Sequence, residues 1–350
     1  MKMQHSTLQL DEAALVHNFD QVKKLAPKSK ILSMIKSNAY GHGMIWSAKI
    51  LKNSDGFGVA VLSDAIKLRQ AGIQQKIVLL RGVYNSEELD LIQKFNIDIV
   101  VHDMTQIKLI QEANPAHLNI WLKVNTGMNR LGFQSEEIEN IYKILNKNNK
   151  YNIILITHFS SADELDNPLT QQQTQIFNNI NLNLERSLAH SAGILGWKES
   201  HADWVRPGLM LYGVSPFPNT TGLDFNLRPV MTWSSCLIAM RGQKAGDAIG
   251  YNGTYICPED MMVGVVGVGY GLGYPRHAKK GTPILMNNVQ AEIVGRVSMD
   301  MLNINLKNIK NPKIGDVITL WGKGLPIEKV AEHTATSAYE LLCNVHTSNT

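Results

Sequence analysis

Lys30-Ile31-Leu32-Ser33-Met34-Ile35-Lys36 is an apolar run of strand length closed at each end by a lysine, and it opens a series. Comparable runs stand at residues 56–60, 76–80, 98–101, 118–124, 153–158 and 188–192, with a weaker one at 205–211. Between them, residues 64–71, 86–95, 106–113, 135–145 and 168–182 carry apolar residues at three-and-four spacing, the period of an amphipathic helix. Short apolar strands alternating with longer helices are the pattern of parallel strands joined by crossover helices. Ser86 and Ser135 are each followed by acidic residues, as helix N-termini favour. Eight such units predict an α/β fold with a TIM-type (β/α)8 barrel, and periodicity alone leaves an open doubly wound sheet as the alternative.

After Pro216 the texture changes. Runs at 231–239, 262–267, 284–286, 290–294 and 317–320 are separated by Gly, Pro, Asn and Asp, which predicts a mostly-β C-terminal domain. The expected division is a barrel over 10–216, a linker over 217–227 rich in Pro and Gly, and a β domain over 228–350 joined by an N-terminal strand at 6–10. At 350 residues, 44% hydrophobic and 18% charged, the chain has ordinary globular composition. A net charge of +4 with its densest lysines (Lys23, Lys24, Lys28, Lys30) gathered around Pro27 reads as a solvated helix end and argues against a nucleic-acid partner. Cys236, Cys257 and Cys343 have no metal-like spacing, so free thiols in a reducing compartment and no metal are expected. No stretch approaches the roughly 18 apolar residues of a membrane span and no apolar core marks residues 1–20, so the expectation is a cytoplasmic protein with no membrane partner.

Lys36 falls at the C-terminal end of the first strand, where barrels of this kind carry their active sites. Desolvation there would make the amine less basic and able to form a Schiff base, whereas a snorkelling surface lysine would occupy the same position; place alone leaves both open. The following residues are more specific. Lys36-Ser37-Asn38-Ala39-Tyr40-Gly41-His42-Gly43 closely resembles the pyridoxal phosphate (PLP) lysine signature of alanine racemases. The resemblance continues through Asn125-Thr126-Gly127-Met128-Asn129-Arg130-Leu131-Gly132, Thr157-His158-Phe159, His190-Ser191-Ala192, Arg206-Pro207-Gly208-Leu209, Gly250-Tyr251-Asn252-Gly253-Thr254-Tyr255, Gly295-Arg296-Val297-Ser298-Met299-Asp300 and Ala338-Tyr339-Glu340.

The resemblance implies a barrel plus β domain, a homodimer with shared active sites, and interconversion of L- and D-alanine through a PLP aldimine. The family pattern makes Lys36 the base on the D-alanine side and the partner subunit's Tyr251 the base on the L-alanine side. A phenol with an ordinary pKa near 10 needs its anion supported, and His158 and Arg206 are the implied supports. Arg206 would face the pyridine nitrogen; a guanidinium donates and never accepts, so that nitrogen would stay unprotonated. Gly208, the amide of Leu209, Ser191, Tyr40 and Tyr339 resemble a phosphate cradle. Arg130 and the amide of Met299 would take the alanine carboxylate, and Lys123 matches a lysine carbamylated in many relatives. Tyr270 and Tyr339 would narrow the entrance to a methyl-sized side chain, and Asp300 would orient loops. The product would serve cell-wall peptidoglycan or alanine catabolism.

Three departures bear on rate, dimer strength and gating: Asn125 where an aspartate is usual, Leu272 where the family has aspartate, and a C-terminus from Cys343 to Thr350 without the usual arginines, which touches the expected terminal strand. The competing expectations are a PLP racemase of broader amino-acid specificity, a fold-related PLP decarboxylase, and a non-catalytic PLP-binding barrel. The β domain and Tyr251 argue against the last.

Overall fold

The computed structural model describes residues 6–147 and 150–346. The chain opens with β1 (Ser6–Leu10) and a helix, Glu12–Leu25, whose N-cap Asp11 accepts the Ala14 amide at 2.9 Å. There follow β2 (Lys30–Met34), β3 (Gly56–Val59), β4 (Lys76–Leu79), β5 (Asp98–Val101), β6 (Asn119–Asn125), the two-residue β7 (Phe133–Gln134), β8 (Asn152–Ile156), β9 (Arg186–His190) and β10 (Trp204–Arg206). Leaving β7 aside, eight of these strands, β2 to β6 and β8 to β10, run parallel in the order β5-β4-β3-β2-β10-β9-β8-β6. β5 also pairs with β6, Ile99 opposite Ile120 and Val100 opposite Trp121. That pairing closes the ring and removes both edges, so the fold is a barrel and not an open doubly wound sheet.

Strand ends differ from the sequence reading in ways that matter to the site. The run 30–36 leaves the sheet after Met34, so Lys36 does not end a strand but opens a turn. The run 205–211 divides into the three-residue β10 and a 3-10 turn, Leu209–Tyr212, because Pro207 lacks an amide to continue the ladder. At the opposite end of the barrel, the buried Asp98 carboxylate binds Lys76 at 2.7 Å, Asn119 at 2.8 Å and the Trp121 indole at 3.1 Å, tying β4, β5 and β6.

The remaining strands are β11 (Met231–Gln243), β12 (Ala248–Ile249), β13 (Tyr255–Ile256), β14 (Met261–Val266), β15 (Pro283–Met286), β16 (Val289–Val294), β17 (Leu302–Asn305) and β18 (Val317–Trp321). Six of them form an antiparallel ring, β11-β14-β17-β16-β15-β18, closed by pairing of β11 with β18. β1 adds to β11, Ser6 opposite Ser235, and its Ser6 hydroxyl accepts the Trp233 indole N–H at 2.7 Å. The first strand of the chain is therefore part of the C-terminal sheet. Trp233 and Trp321 pack edge to face at 4.6 Å in this core, with the Tyr274 ring beside them. Between the two units, residues 217–227 include a 3-10 turn, Gly222–Phe225. The helix Ala338–Cys343 leaves the β unit and packs on the turn that follows β2. The three cysteines are free thiols. No helix among the described residues is long and apolar enough to cross a membrane.

Candidate active site

Each barrel strand that matters here ends in a polar residue at the same mouth. Lys36 follows β2, Arg81 follows β4, Lys123 lies in β6 with Arg130 beyond it, His158 follows β8, His190 and Ser191 close β9, and Arg206 ends β10. Together with Tyr40, Gly208, Leu209 and Tyr339 they line one cavity of about 710 Å³. Its lining carries the basic side chains of Lys36, Arg81, Lys123, Arg130 and Arg206, three of them guanidiniums, against one carboxylate, Asp163, among the described residues. Such a balance suits a ligand with more than one anionic group.

Lys36 is presented by an unusual backbone. Ser37, Asn38, Ala39 and Tyr40 all have positive φ, 52°, 51°, 56° and 53°, a full left-handed turn built of residues with side chains. Each such residue costs roughly 1–2 kcal/mol, so the surroundings must hold the turn in place. Asn38 accepts the Met44 amide at 2.9 Å, Gly43 N–H donates to the Asn38 carbonyl at 2.9 Å, and Gly41 continues the bend at φ 81°. Burial lowers the Lys36 pKa and the positive charge of Arg130 lowers it further; Cys343 opposes this, and Arg206 and Arg81 add smaller lowering effects.

Arg206 is buried and anchored on three sides. It donates to the Ser187 hydroxyl at 2.6 Å, the Thr157 carbonyl at 2.6 Å and the Leu188 carbonyl at 3.0 Å, and it approaches His158 Nδ1 at 3.5 Å. Burial pulls its pKa down to about 9, which leaves it charged at neutral pH. Burial, with His190, Lys123, Arg206 and Arg130 nearby, pushes His158 well below its usual pKa, so the imidazole is neutral. The Ser191 hydroxyl accepts the amides of Gly208 at 2.9 Å and Met210 at 3.3 Å, which leaves its own proton to donate. At Gly208 a Cβ would lie 2.6 Å from the Tyr40 hydroxyl, so glycine lets that hydroxyl and the 208 backbone converge. The Tyr40 ring meets those of Tyr212 at 5.0 Å and Tyr339 at 5.9 Å.

Lys123 is half-buried, and burial plus the charges of Arg206, Arg130 and Lys36 push its pKa well below that of an ordinary lysine. Neither the Lys123 ammonium nor the Arg130 guanidinium has a hydrogen-bond or ion-pair partner among the described residues, although the Lys123 backbone pairs with β8. Asn125, where the resemblance led to the expectation of an aspartate, ties the turn: its Oδ1 accepts the amides of Gly127 at 3.2 Å and Asn129 at 3.0 Å, and its Nδ2 donates to Asn129 Oδ1.

Four residues of the sequence-derived set lie elsewhere. Tyr251, in the 3-10 turn between β12 and β13, is 64% exposed, and Tyr270, Met299 and Asp300 are also exposed on the β unit; none lines the cavity of its own chain. Tyr270 and Met299 are neighbours, since Tyr270 N–H donates to the Ser298 carbonyl at 3.1 Å and Gly271 N–H to the Met299 carbonyl at 2.8 Å. One chain therefore presents a cavity rich in basic side chains and, separately, a surface bearing Tyr251.

Residues 10–216 match the family described as alanine racemase, N-terminal domain, and residues 230–350 match alanine racemase, C-terminal domain. The chain belongs to the alanine racemase family. It is 44% identical to the alanine racemase of Aeromonas hydrophila subsp. hydrophila over 97% of each chain. Among solved structures it resembles the biosynthetic alanine racemase of Pseudomonas aeruginosa, with a TM-score of 0.95, 36% identity and 99% and 98% of the two chains covered. It also resembles the alanine racemase of Bartonella henselae described with covalently bound pyridoxal phosphate, with a TM-score of 0.88, 25% identity and 98% of each chain covered.

Within this racemase-family frame, the other two departures have plain structural consequences. Leu272 sits in the 3-10 turn Tyr270–Leu272, packs against the core, and its carbonyl accepts the His346 amide at 3.0 Å. The expected terminal strand is instead the end of the helix Ala338–Cys343 followed by irregular chain; residues 347–350 lie outside the described residues. The sequence reading passed over Arg81, His190 and Asp163 as cavity residues. The signal for Arg81 was present: like Lys36 it is a cation just beyond an apolar strand run.

Proposed function

We propose that this protein interconverts L- and D-alanine, with PLP carried on Lys36 and a second base, the partner subunit's Tyr251, completing the site in a homodimer. The observation that carries the reading is the pairing, in one cavity, of a lysine of lowered basicity with an anion cradle at Ser191, Gly208 and Tyr40. The fit is chemical: Ser191 keeps a free hydroxyl proton, Gly208 leaves the backbone open, and surplus cations match a phosphate and a carboxylate. Bound there, PLP supplies the electron withdrawal that makes an amino-acid α-proton removable.

The chain's own groups do the rest. Lys36 Nζ takes or returns the proton on one face, and the partner subunit's Tyr251 does so on the other. Arg206 can only donate, so a pyridine nitrogen held against it would stay unprotonated. At His158, Nδ1 lies toward a guanidinium and so is the accepting nitrogen; the neutral ring then carries its proton on Nε2, free to support a tyrosinate. Arg130 and the Met299 amide hold the substrate carboxylate, and Tyr339 and Tyr270 limit its side chain. Asp300 orients the loop beside Met299. Lys123, a weakly basic amine beside Arg130, suits carbamylation, whose anion would hold the Arg130 guanidinium; a plain ammonium in a bicarbonate-equilibrated sample would exclude that part. The exposure of Tyr251, Tyr270, Met299 and Asp300 outside their own cavity supports their service to a second chain. The proposal includes the division into 10–216 and 228–350 with a linker over 217–227, a cytoplasmic location, and D-alanine supply for peptidoglycan, in line with the biosynthetic designation of the Pseudomonas aeruginosa relative.

The decisive experiment incubates the enzyme with L-alanine or L-serine in deuterated water and follows α-proton exchange and D-isomer formation together. Inversion with exchange, fast for alanine and slow for serine, is expected. Exchange without inversion would defeat the two-base reading, and equal rates would favour broad specificity. An absorbance near 420 nm, discharged by borohydride with modification of Lys36, tests the cofactor; a Lys36 left unmodified would favour neither the racemase nor a PLP-binding barrel.

A further inference from the structure

His42 lies fully buried beside the left-handed turn, and the racemase reading leaves it without a task. Its Nδ1 is 3.0 Å from the Ala39 carbonyl and 2.9 Å from the Tyr40 carbonyl. Carbonyl oxygens only accept, so this nitrogen carries the proton and shares it between the last two links of the turn. Nε2 is then bare, and it has no partner among the described residues. The ring stacks on Tyr212 at 4.4 Å and 26°, and Tyr212 in turn meets the Tyr40 ring. Burial lowers the pKa to about 4, in keeping with a neutral ring.

We infer that His42 is a positioning residue for the cofactor lysine: by clasping the carbonyls of Ala39 and Tyr40 through Nδ1–H, it holds the left-handed turn from which Lys36 and the Tyr40 hydroxyl reach the two ends of one ligand. The inference rests on Lys36 being the PLP lysine, as proposed above. Four consecutive left-handed residues revert to commoner conformations unless their peptide groups are tied. Lys36 precedes the first of them and Tyr40 is the last, so slackening the turn moves both ends of the cofactor site relative to each other.

Two substitutions separate this role from packing. His42→Phe keeps a ring against Tyr212 and removes the donor, whereas His42→Asn keeps a short N–H donor and removes the stacked ring. Amide hydrogen exchange across residues 37–43 of the full chain, without PLP, reads the turn itself. The expected result is lost protection in His42→Phe, protection kept in His42→Asn, and both melting transitions still cooperative. On adding PLP, affinity should fall about tenfold in His42→Phe and stay within about threefold of wild type in His42→Asn, the range expected for one lost buried hydrogen bond. Imidazole ¹⁵N spectra of the wild type should show the Nδ1–H tautomer. The inference is overturned if the spectra show Nε2–H, if His42→Phe keeps both protection and affinity, or if the two variants lose them equally. A wild-type chain that takes no PLP would sink the proposed function, but the tautomer and exchange results would still test the clasp.

Discussion

At the scale of single residues, position around the mouth governs reactivity. Lys36 is less basic than a free lysine first because it is buried and next because Arg130 stands near it. A lowered pKa puts the neutral, nucleophilic amine at lower pH. Replacing Arg130 by Met removes the second cause and leaves the first, so the pH profile for PLP attachment by the apoprotein should move to higher pH without returning to that of free lysine. An unmoved profile would mean that the Arg130 charge is not felt at Lys36. Gly208→Ala sets a methyl 2.6 Å from the Tyr40 hydroxyl, whose rigid ring cannot easily yield. PLP affinity, followed by absorbance titration, should fall about tenfold, and urea unfolding should show a loss of about 1–3 kcal/mol, because the Tyr40 ring that must yield is packed in the core.

At the scale of elements, the C-terminal helix and the lysine turn support each other through one glycine. Gly41 has φ 81°, and a Cβ there would lie 2.2 Å from the Leu342 carbonyl oxygen in the helix Ala338–Cys343. Gly72 has a similar φ of 86° with nothing within 4 Å of its added Cβ. Gly72→Ala should therefore cost only about 1 kcal/mol, the backbone price alone, and Gly41→Ala at least about 2–3 kcal/mol in urea unfolding, with weaker PLP binding besides. Equal costs would show that the helix yields freely. Asp98 binds three partners across β4, β5 and β6 far from the mouth. Asp98→Ala leaves the half-buried Lys76 and Asn119 and the buried Trp121 indole without their carboxylate and should cost about 2–4 kcal/mol, with the activity of the folded fraction preserved. The strand runs were readable because a parallel strand buried on both faces needs an unbroken apolar stretch. The turn after β2 was not: Asn38, Gly41 and Gly43 hint at single left-handed residues, but nothing in Ser37, Ala39 and Tyr40 signals four of them in a row.

At the scale of the whole molecule, the proposed division of the site between two chains makes a sharp prediction. Lys36→Ala and Tyr251→Phe should each be nearly inactive alone. After mixing and re-association, half the dimers are mixed and each of those holds one intact site, so about one quarter of wild-type activity should return. No recovery under conditions where subunits exchange would mean that Lys36 and Tyr251 of the same chain act together. The eight strand–helix units, the change to β texture after Pro216 and the motifs that carry the family resemblance are legible in the linear chain, because burial pattern and motif order are properties of residue order alone. Closure of the barrel depended on β5 meeting β6, a hydrogen-bonded pairing that periodicity does not encode. Tertiary structure alone also returned β1 to the C-terminal sheet, gathered Arg81, Lys123, Arg130 and Arg206 around Lys36, and left Tyr251 facing outward. Those outcomes turn on which distant segments meet in space, and the amount by which neighbouring charge and burial shift Lys36 exists only once they have met.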